Sequence, residues 1–180
     1  MADLLSPGRH WGGRITFVLI FAVLVYAALL PLDTLPPTWA GPDLLLALTL
    51  VWVVRRPDVA PLPVVAGLWF MTDLLLQRPP GLMTALVVVL TEVLRRRNRA
   101  LRSMPFVLEW LNVAGGIIAT TVVYRLILAA LMTPQAPLGL SLMQMVMTML
   151  AYPVLVLAAR FLLGITRSAP GELDALGSPL

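Results

Sequence analysis

Hydrophobic residues fall into six segments that polar and turn-forming residues separate. The segments cover residues 15–32, 43–54, 59–76, 81–94, 105–131 and 139–163. A helix that crosses a bilayer needs roughly 20 apolar residues, with a range of about 17–25. The first, third, fifth and sixth segments reach that length, whereas the second and fourth are short. Prolines and glycines mark the boundaries, so the pattern predicts six helices joined by brief turns.

Composition places these helices in a membrane. The 180-residue chain is 59% hydrophobic and 12% charged, with a mean hydropathy of +0.91. A soluble domain is about 45–50% apolar and about 25% charged. Water would not tolerate the excess of apolar surface, so we expect an all-α integral membrane protein. The absence of cysteine excludes disulfides, thiolate catalysis and cysteine-ligated metals.

The placement of the arginines predicts which way each segment crosses. All thirteen basic residues are arginine. If all six segments cross, only Arg78 lies in a loop on one side, together with Asp33 and Asp43, and the positive-inside rule is obeyed. In this six-span arrangement, the arginines on the other side are Arg9, Arg14, Arg55, Arg56, Arg95, Arg96, Arg97, Arg99, Arg102, Arg160 and Arg167. Omitting either short segment would move every later loop to the opposite side of the membrane and break this pattern.

We therefore expect one domain, a bundle of six transmembrane helices in residues 1–167, with both termini in the cytoplasm. The basic cytoplasmic loops would bind anionic lipid headgroups, and they form no long basic face for nucleic acid. Residues 168–180 hold proline, glycine, serine and two acids, and are predicted to be a disordered tail.

Asp73 and Arg125 are ionisable residues deep inside predicted spans, where charge is costly and often functional. Asp73 lies about fourteen residues into the third segment, roughly 21 Å along a helix axis. Arg125 lies at a similar depth in the fifth segment. The two side chains are predicted to pair, or Asp73 instead anchors the following turn through backbone amides near Gly81. A contact with a partner protein and a proton or solute relay are the other hypotheses for Asp73.

Other polar pairs fit structural roles. Glu92 precedes Arg96 by four residues, the spacing of a helical ion pair. Glu109 and Asn112 are predicted to form an interhelical hydrogen bond near the cytoplasmic face.

Two pairs, Gly115 with Ala119 and Gly116 with Thr120, have the small-xxx-small spacing of close helix packing. We interpret both as packing sites within the bundle.

Nothing in the sequence predicts an enzyme. His10, the single histidine, precedes the first segment, so a histidine-based dyad or metal cluster within the membrane is not expected. No phosphate-binding glycine loop or nucleophile elbow is present. We expect no catalytic residue, no cofactor and no metal ion.

Residues 41–81 resemble a known family. The second helix starts with Pro-Asp in GPDLLL (41–46), and a basic turn, RRPD, follows at 55–58. The third helix contains Gly67 and Asp73, and a Pro-Gly turn follows at Pro80-Gly81. Together these features resemble the family of the rod shape-determining protein MreD. In that family the turn usually reads Pro-Leu-Gly, whereas here it is Arg-Pro-Pro-Gly. The structural or partner-contact candidates, together with the arginine of the fifth segment, are Pro42, Asp43, Gly67, Asp73, Pro80, Gly81 and Arg125.

The resemblance implies a non-enzymatic subunit of the bacterial cell-elongation machinery in the inner membrane. Its expected partner is MreC, and MreB, RodA and a penicillin-binding transpeptidase are expected less directly. The family's fold is similar to the substrate-binding subunits of energy-coupling-factor vitamin transporters, so a solute-binding subunit is the alternative. That alternative requires polar and aromatic groups that converge from several helices. Tyr26, Trp69 and Tyr124 are scattered along the chain, which favours the first interpretation.

Overall fold

The computed structural model describes residues 7–30, 39–102 and 105–163, with the side chains of these ranges except 7–10, 98–102 and 162–163. The predicted disordered tail at 168–180 therefore lies outside the described residues. So do Asp33 and Arg167, and the side chains of Arg9, His10, Arg99 and Arg102.

The described residues form six α-helices and contain no strand. Each helix overlaps one predicted segment. The first begins well before residue 15, and the fourth continues beyond residue 94 through the arginine-rich stretch. The helices are α1 Pro7–Leu29, α2 Leu44–Arg55, α3 Leu62–Leu75, α4 Leu82–Arg102, α5 Phe106–Ala130 and α6 Leu138–Leu163.

Three helices are long and apolar enough to cross a membrane, as expected of a membrane protein. Within them the qualifying ranges are Trp11–Leu29, Phe106–Ala130 and Leu138–Phe161. The apolar helices α2 and α3 are shorter, with 12 and 14 residues. In α4, the arginine run lowers the hydropathy of an otherwise apolar helix.

Helix α2 forms the centre of the bundle. Eleven consecutive residues, Leu45–Arg55, are buried, which is expected for a helix that is apolar on every side. It packs against α1, α4 and α6, while α3 packs on α1 and α4, and α5 packs on α4 and α6. The outer helices keep apolar side chains such as Val23 and Leu126 exposed. Their outer faces therefore match a lipid environment.

Aromatic rings join the first three helices. The rings of Phe17 and Trp52 lie 5.5 Å apart, and those of Phe21 and Trp69 lie 6.0 Å apart with an edge-on orientation. The indole of Trp69 also donates a hydrogen bond to the Thr49 hydroxyl at 3.1 Å. Most buried tryptophans have such a partner for the N–H group, whereas the buried Nε1 of Trp52 has none among the described residues.

The bundle has two chemically different ends. The basic end carries Arg14, Arg55 and Arg95, and the opposite end, here called the Asp73 end, carries Asp73 and Gln135. At the basic end, Arg14 donates to the carbonyl of Asp58 and Arg95 donates to the carbonyl of Ala60. These contacts hold the turn between α2 and α3.

Burial lowers the pKa of the Arg95 guanidinium, and the nearby carboxylates of Glu92 and Asp58 oppose that shift. The predicted pair of Glu92 with Arg96 is confirmed, with 2.9 Å between Oε1 and Nε. It lies on an exposed surface of α4.

The small-xxx-small pairs differ in their surroundings. A Cβ atom at Gly116 would lie 2.5 Å from Cδ1 of Leu90, whereas a Cβ at Gly115 would have no atom within 4 Å. Thr120 is buried beside Gly116, and Ala119 is exposed. Close packing inside the bundle therefore applies to Gly116, and the Gly115 face of α5 is open.

Candidate functional site

The carboxylate of Asp73 is fully buried and joins α3 to α4. Its Oδ2 atom accepts hydrogen bonds from the amide of Gly81 at 3.1 Å, the amide of Thr84 at 3.1 Å and the hydroxyl of Thr84 at 2.7 Å. The first amides of an α-helix have no partner within the helix. Asp73 supplies that partner for α4 from the preceding helix, so the hypothesis of a turn anchor near Gly81 is confirmed.

Backbone geometry brings the two helices to this contact. Gln77 has a positive φ of 53°, and the amide of Arg78 donates to the carbonyl of Asp73 at 2.9 Å. This is the hydrogen-bond pattern of a helix that ends with a left-handed residue. The following turn has Pro80 at its second position and Gly81, with φ of 82°, at its third. Only glycine adopts that φ readily, which explains the Pro-Gly sequence.

The predicted pairing of Asp73 with Arg125 is wrong for the described residues. The Nη1 atom of Arg125 donates instead to the carbonyl of Ala136 at 3.1 Å and to the hydroxyl of Ser141. The side chain of Gln135 donates back to the carbonyl of Arg125 at 3.1 Å. Similar depth along two helices did not produce a contact, because the Asp73 carboxylate faces the start of α4 and Arg125 faces the segment that leads into α6.

Asp43 caps the central helix. Its Oδ1 atom accepts from the amide of Leu46 at 2.9 Å, as expected for an N-cap aspartate. Its own amide donates to the hydroxyl of Thr148 in α6 at 2.8 Å. The half-buried Pro42 precedes this cap. The Pro-Asp pair therefore sets the start of α2 and ties it to α6.

Gly67 has a different environment from the other candidates. It lies on an exposed face of α3, and a Cβ atom there would have no neighbour within 4 Å. No contact within the described residues explains why glycine occupies this position.

A polar cavity of about 210 Å³ lies at the Asp73 end, and we call it the arginine cavity. Its walls come from α5, α6, and the residues next to α2, α3 and α4. The polar side chains that line it are Asp43, Arg78, Thr121, Tyr124, Arg125, Gln135, Ser141, Gln144 and Thr148.

Of the three aromatic residues expected to be scattered, Tyr124 lines the cavity, whereas Tyr26 and Trp69 do not. Polar side chains do converge here, because Arg78 follows α3 while Tyr124 and Arg125 belong to α5. The guanidinium of Arg78 has no hydrogen-bond partner among the described residues, and Arg125 uses only Nη1 for its bonds to the protein. The cavity therefore presents a surplus of hydrogen-bond donors.

A second polar cluster lies inside the basic end, where sequence reasoning expected loop charge. Nη2 of Arg55 lies 3.1 Å from Oε1 of Glu109, and the hydroxyl of Tyr152 donates to the same oxygen at 2.8 Å. The side chains of Arg55 and Glu109 are 10% and 1% exposed. The cluster ties α2, α5 and α6 together.

The predicted interhelical hydrogen bond is confirmed for Glu109, which accepts from Arg55 in α2 and Tyr152 in α6, but it is not formed by the side chain of Asn112. Its Nδ2 atom donates to the carbonyl of Leu108, one turn earlier in the same helix, at 2.8 Å. The partner of Glu109 is 54 residues away in the sequence. No local spacing indicates a pair at that distance, although a lone glutamate in an apolar helix indicates that some partner must exist.

A proline strengthens the contact between α5 and α6. Pro153 lies within α6 and has no N–H group, so it cannot donate to the carbonyl of Met149 four residues earlier. The indole of Trp110 donates to that carbonyl at 2.9 Å. The helix thus loses an internal hydrogen bond and gains one to its neighbour.

Comparisons with protein families, curated proteins and solved structures find no match to the chain. Its function is therefore argued from the geometry above and from the residues that carry the family resemblance.

Proposed function

We propose that the chain is a non-enzymatic subunit of the bacterial inner membrane that belongs to the cell-elongation complex. In this role it binds an MreC-like membrane protein and helps to maintain rod shape by regulating peripheral peptidoglycan synthesis. MreB, RodA and a penicillin-binding transpeptidase are its indirect partners.

The Asp73 contact carries this proposal. The carboxylate that sequence patterns single out accepts bonds from Gly81 and Thr84, and so holds the α3–α4 hairpin in a defined shape. A rigid hairpin is what a scaffold needs in order to present a constant surface to another membrane protein. The outer face of α3 offers such a surface, because Phe70, Met71 and Leu74 are exposed.

The proposed topology has six spans and two cytoplasmic termini. The short helix α2 spans with the help of its flanks because it lies at the protein-lined centre of the bundle. Since the chain has no cysteine, single cysteines report its sidedness without background. Cysteines at Thr34 and Gln135 should react with an impermeant thiol reagent from the periplasm, and one at Asn98 should not. External labelling at Asn98 would overturn the six-span proposal.

The functional test is depletion in the native host. We expect depleted cells to lose rod shape, and the tagged protein to retain an MreC-like partner after detergent purification. Complementation by Asp73→Ala should fail or be weak, whereas Glu92→Ala, a matched loss of an exposed acid in α4, should complement. Normal rod shape after complete depletion would contradict the proposal.

The arginine cavity favours one alternative, a solute-binding subunit of an energy-coupling-factor transporter. Its polar groups converge from several helices, which is the arrangement that this alternative requires. Mass spectrometry of the purified protein distinguishes the two functions. A stoichiometric vitamin, with normal cell shape on depletion, would support the transporter subunit. A retained MreC-like protein, with rounded depleted cells, would support the scaffold.

A further inference from the structure

An apolar groove adjoins the arginine cavity on the outer surface of the bundle. The groove runs between α5 and α6 and has a volume of about 360 Å³. Its apolar walls include Ile118, Val122, Leu126 and Leu142. The cavity and the groove share four lining residues, Thr121, Arg125, Gln135 and Met145. A donor-rich polar space therefore continues into an apolar one.

We infer that the cavity and the groove together bind one anionic membrane lipid, with its phosphate between Arg78 and Arg125 and an acyl chain along α5 and α6. This inference rests on the chain lying in a membrane, and it is independent of the cell-elongation role. The ligand class is an amphiphile whose headgroup carries a phosphate, such as phosphatidylglycerol.

Charge and hydrogen bonding select an anion for the polar part. Neither Arg78 nor Arg125 forms an ion pair with a carboxylate of the described residues. Asp43 also lines the cavity, but its Oδ1 atom accepts the N-cap bond from the amide of Leu46, and the two guanidinium groups outnumber this carboxylate. A guanidinium half-buried in a membrane protein is costly without a counter-charge, and phosphate oxygens match its planar donors. Tyr124 lines the same space, and its side chain carries a hydroxyl group that can donate.

Depth and shape select a lipid rather than a small soluble anion. Arg125 lies nineteen residues after Phe106, roughly 28 Å along α5 at 1.5 Å per residue. That depth matches one edge of a hydrocarbon core about 30 Å thick, where phosphates of one leaflet lie. Ile118 lies two turns closer to the middle of the helix, so the groove leads from the headgroup level into the hydrocarbon region.

The test uses the full-length protein in nanodiscs of phosphatidylcholine with increasing phosphatidylglycerol. We expect thermal stability to rise with phosphatidylglycerol and native mass spectrometry to show one preferentially retained anionic lipid. Arg78→Gln should weaken that retention roughly tenfold or more, the ratio for losing one charge-assisted hydrogen bond. Because the side chain of Arg78 makes no hydrogen bond to the described residues, and the substitution keeps the main-chain bond from its amide to Asp73, this variant should fold normally. Arg97→Gln is the control for losing one exposed arginine that attracts anionic headgroups at the basic end without a cavity, and it should lower retention far less than Arg78→Gln.

A second pair of variants tests the groove. Leu142→Trp fills it and should reduce retention of the diacyl lipid, whereas Leu150→Trp should not. Leu150 lies on the same helix, is similarly exposed and does not line the groove. Glycerol 3-phosphate, the soluble counterpart of the headgroup, should bind far more weakly than the lipid.

Three results would overturn the inference. The first is equal retention of phosphatidylcholine and phosphatidylglycerol, and the second is equal effects of Arg78→Gln and Arg97→Gln. The third is binding of glycerol 3-phosphate as tight as that of the lipid and unchanged by Leu142→Trp, which would identify a free anionic solute as the ligand.

Discussion

One carboxylate oxygen of Asp73 accepts hydrogen bonds from both the main-chain amide and the hydroxyl of Thr84, at 3.1 and 2.7 Å. Thr84 lies eleven residues later in the chain, beyond the Pro-Gly turn. The bond therefore closes the α3–α4 hairpin at the Asp73 end, in a place where neither group is in contact with solvent. An acidic residue in an apolar helix is thus used as a cap for the next helix.

Asp73→Ala should lower the free energy of unfolding by about 3 kcal/mol. The substitution leaves the buried amide of Thr84 without an acceptor, and an unsatisfied buried group costs about 1–3 kcal/mol in addition to the other lost bonds. Asp73→Asn should cost less, because its amide oxygen still accepts. Reversible unfolding in detergent measures both values. Glu92→Ala is the control, and an Asp73→Ala protein as stable as that control would contradict the role of the cap.

Losses from Asp73→Leu and Arg125→Leu should be additive within about 0.3–0.5 kcal/mol, the usual limit for residues that share no partner. Each side chain has its own hydrogen-bond partners, so removing one leaves the bonds of the other in place. A double-mutant cycle on detergent unfolding gives the coupling energy. If the double variant were markedly more stable than the sum of the two losses predicts, the hypothesis of an ion pair between Asp73 and Arg125 would be supported.

The buried pair of Arg55 with Glu109 should show strong coupling. Removing one partner of a buried ion pair costs about 3–5 kcal/mol, because the remaining charge has no compensation. Glu109→Leu and Arg55→Met should each destabilise strongly, and the double variant should recover much of the loss. The same cycle for Glu92 and Arg96 should give only about 0.3–0.5 kcal/mol, since that pair is exposed. Equal coupling in the two cycles would contradict the difference in burial.

The effects of substituting Trp110 and Pro153 on stability should be coupled, because both residues act on the carbonyl of Met149. Trp110→Phe should cost about 1 kcal/mol, the net value of one hydrogen bond, because the carbonyl that Pro153 leaves free then has no donor. In a Pro153→Ala background a main-chain N–H is present to satisfy that carbonyl, so the cost should fall. Unfolding of the two single variants and the double variant measures this. An unchanged cost of Trp110→Phe would show that the proline is irrelevant to the contact.

Adjacent glycines of α5 should respond differently to alanine. Gly115→Ala should stabilise by up to about 1 kcal/mol, because alanine favours the helix and the site is open. Gly116→Ala should gain less, since the end of the Leu90 side chain must move away from the new methyl group. Each variant is the other's control in the same unfolding assay. A larger gain at Gly116 would contradict the packing described for α4 and α5.

Local chemistry in the sequence was sufficient to predict several features. The six apolar segments predicted the six helices of the described residues, because runs of apolar residues bounded by proline and glycine have few other structures available in a membrane. The Pro80-Gly81 turn and the ion pair of Glu92 with Arg96 depend on neighbours in the chain, so they too were predictable. Asp73 was recognised as unusual by its charge alone, and a turn anchor was one of the roles considered.

Contacts between distant helices were decided only by the tertiary structure. The sequence predicts Arg55 to be a loop charge. Because α2 is buried, Arg55 instead contacts Glu109 of α5, and Tyr152 of α6 donates to the same carboxylate. Arg78 lies far from Tyr124 and Arg125 in the sequence, yet the order of helices around α2 places the three residues around one cavity. Sequence determined which residues are costly to bury, because that depends on side-chain chemistry. Which partner offsets each cost depends on helix rotation and adjacency, and these are set by the packing of the whole bundle.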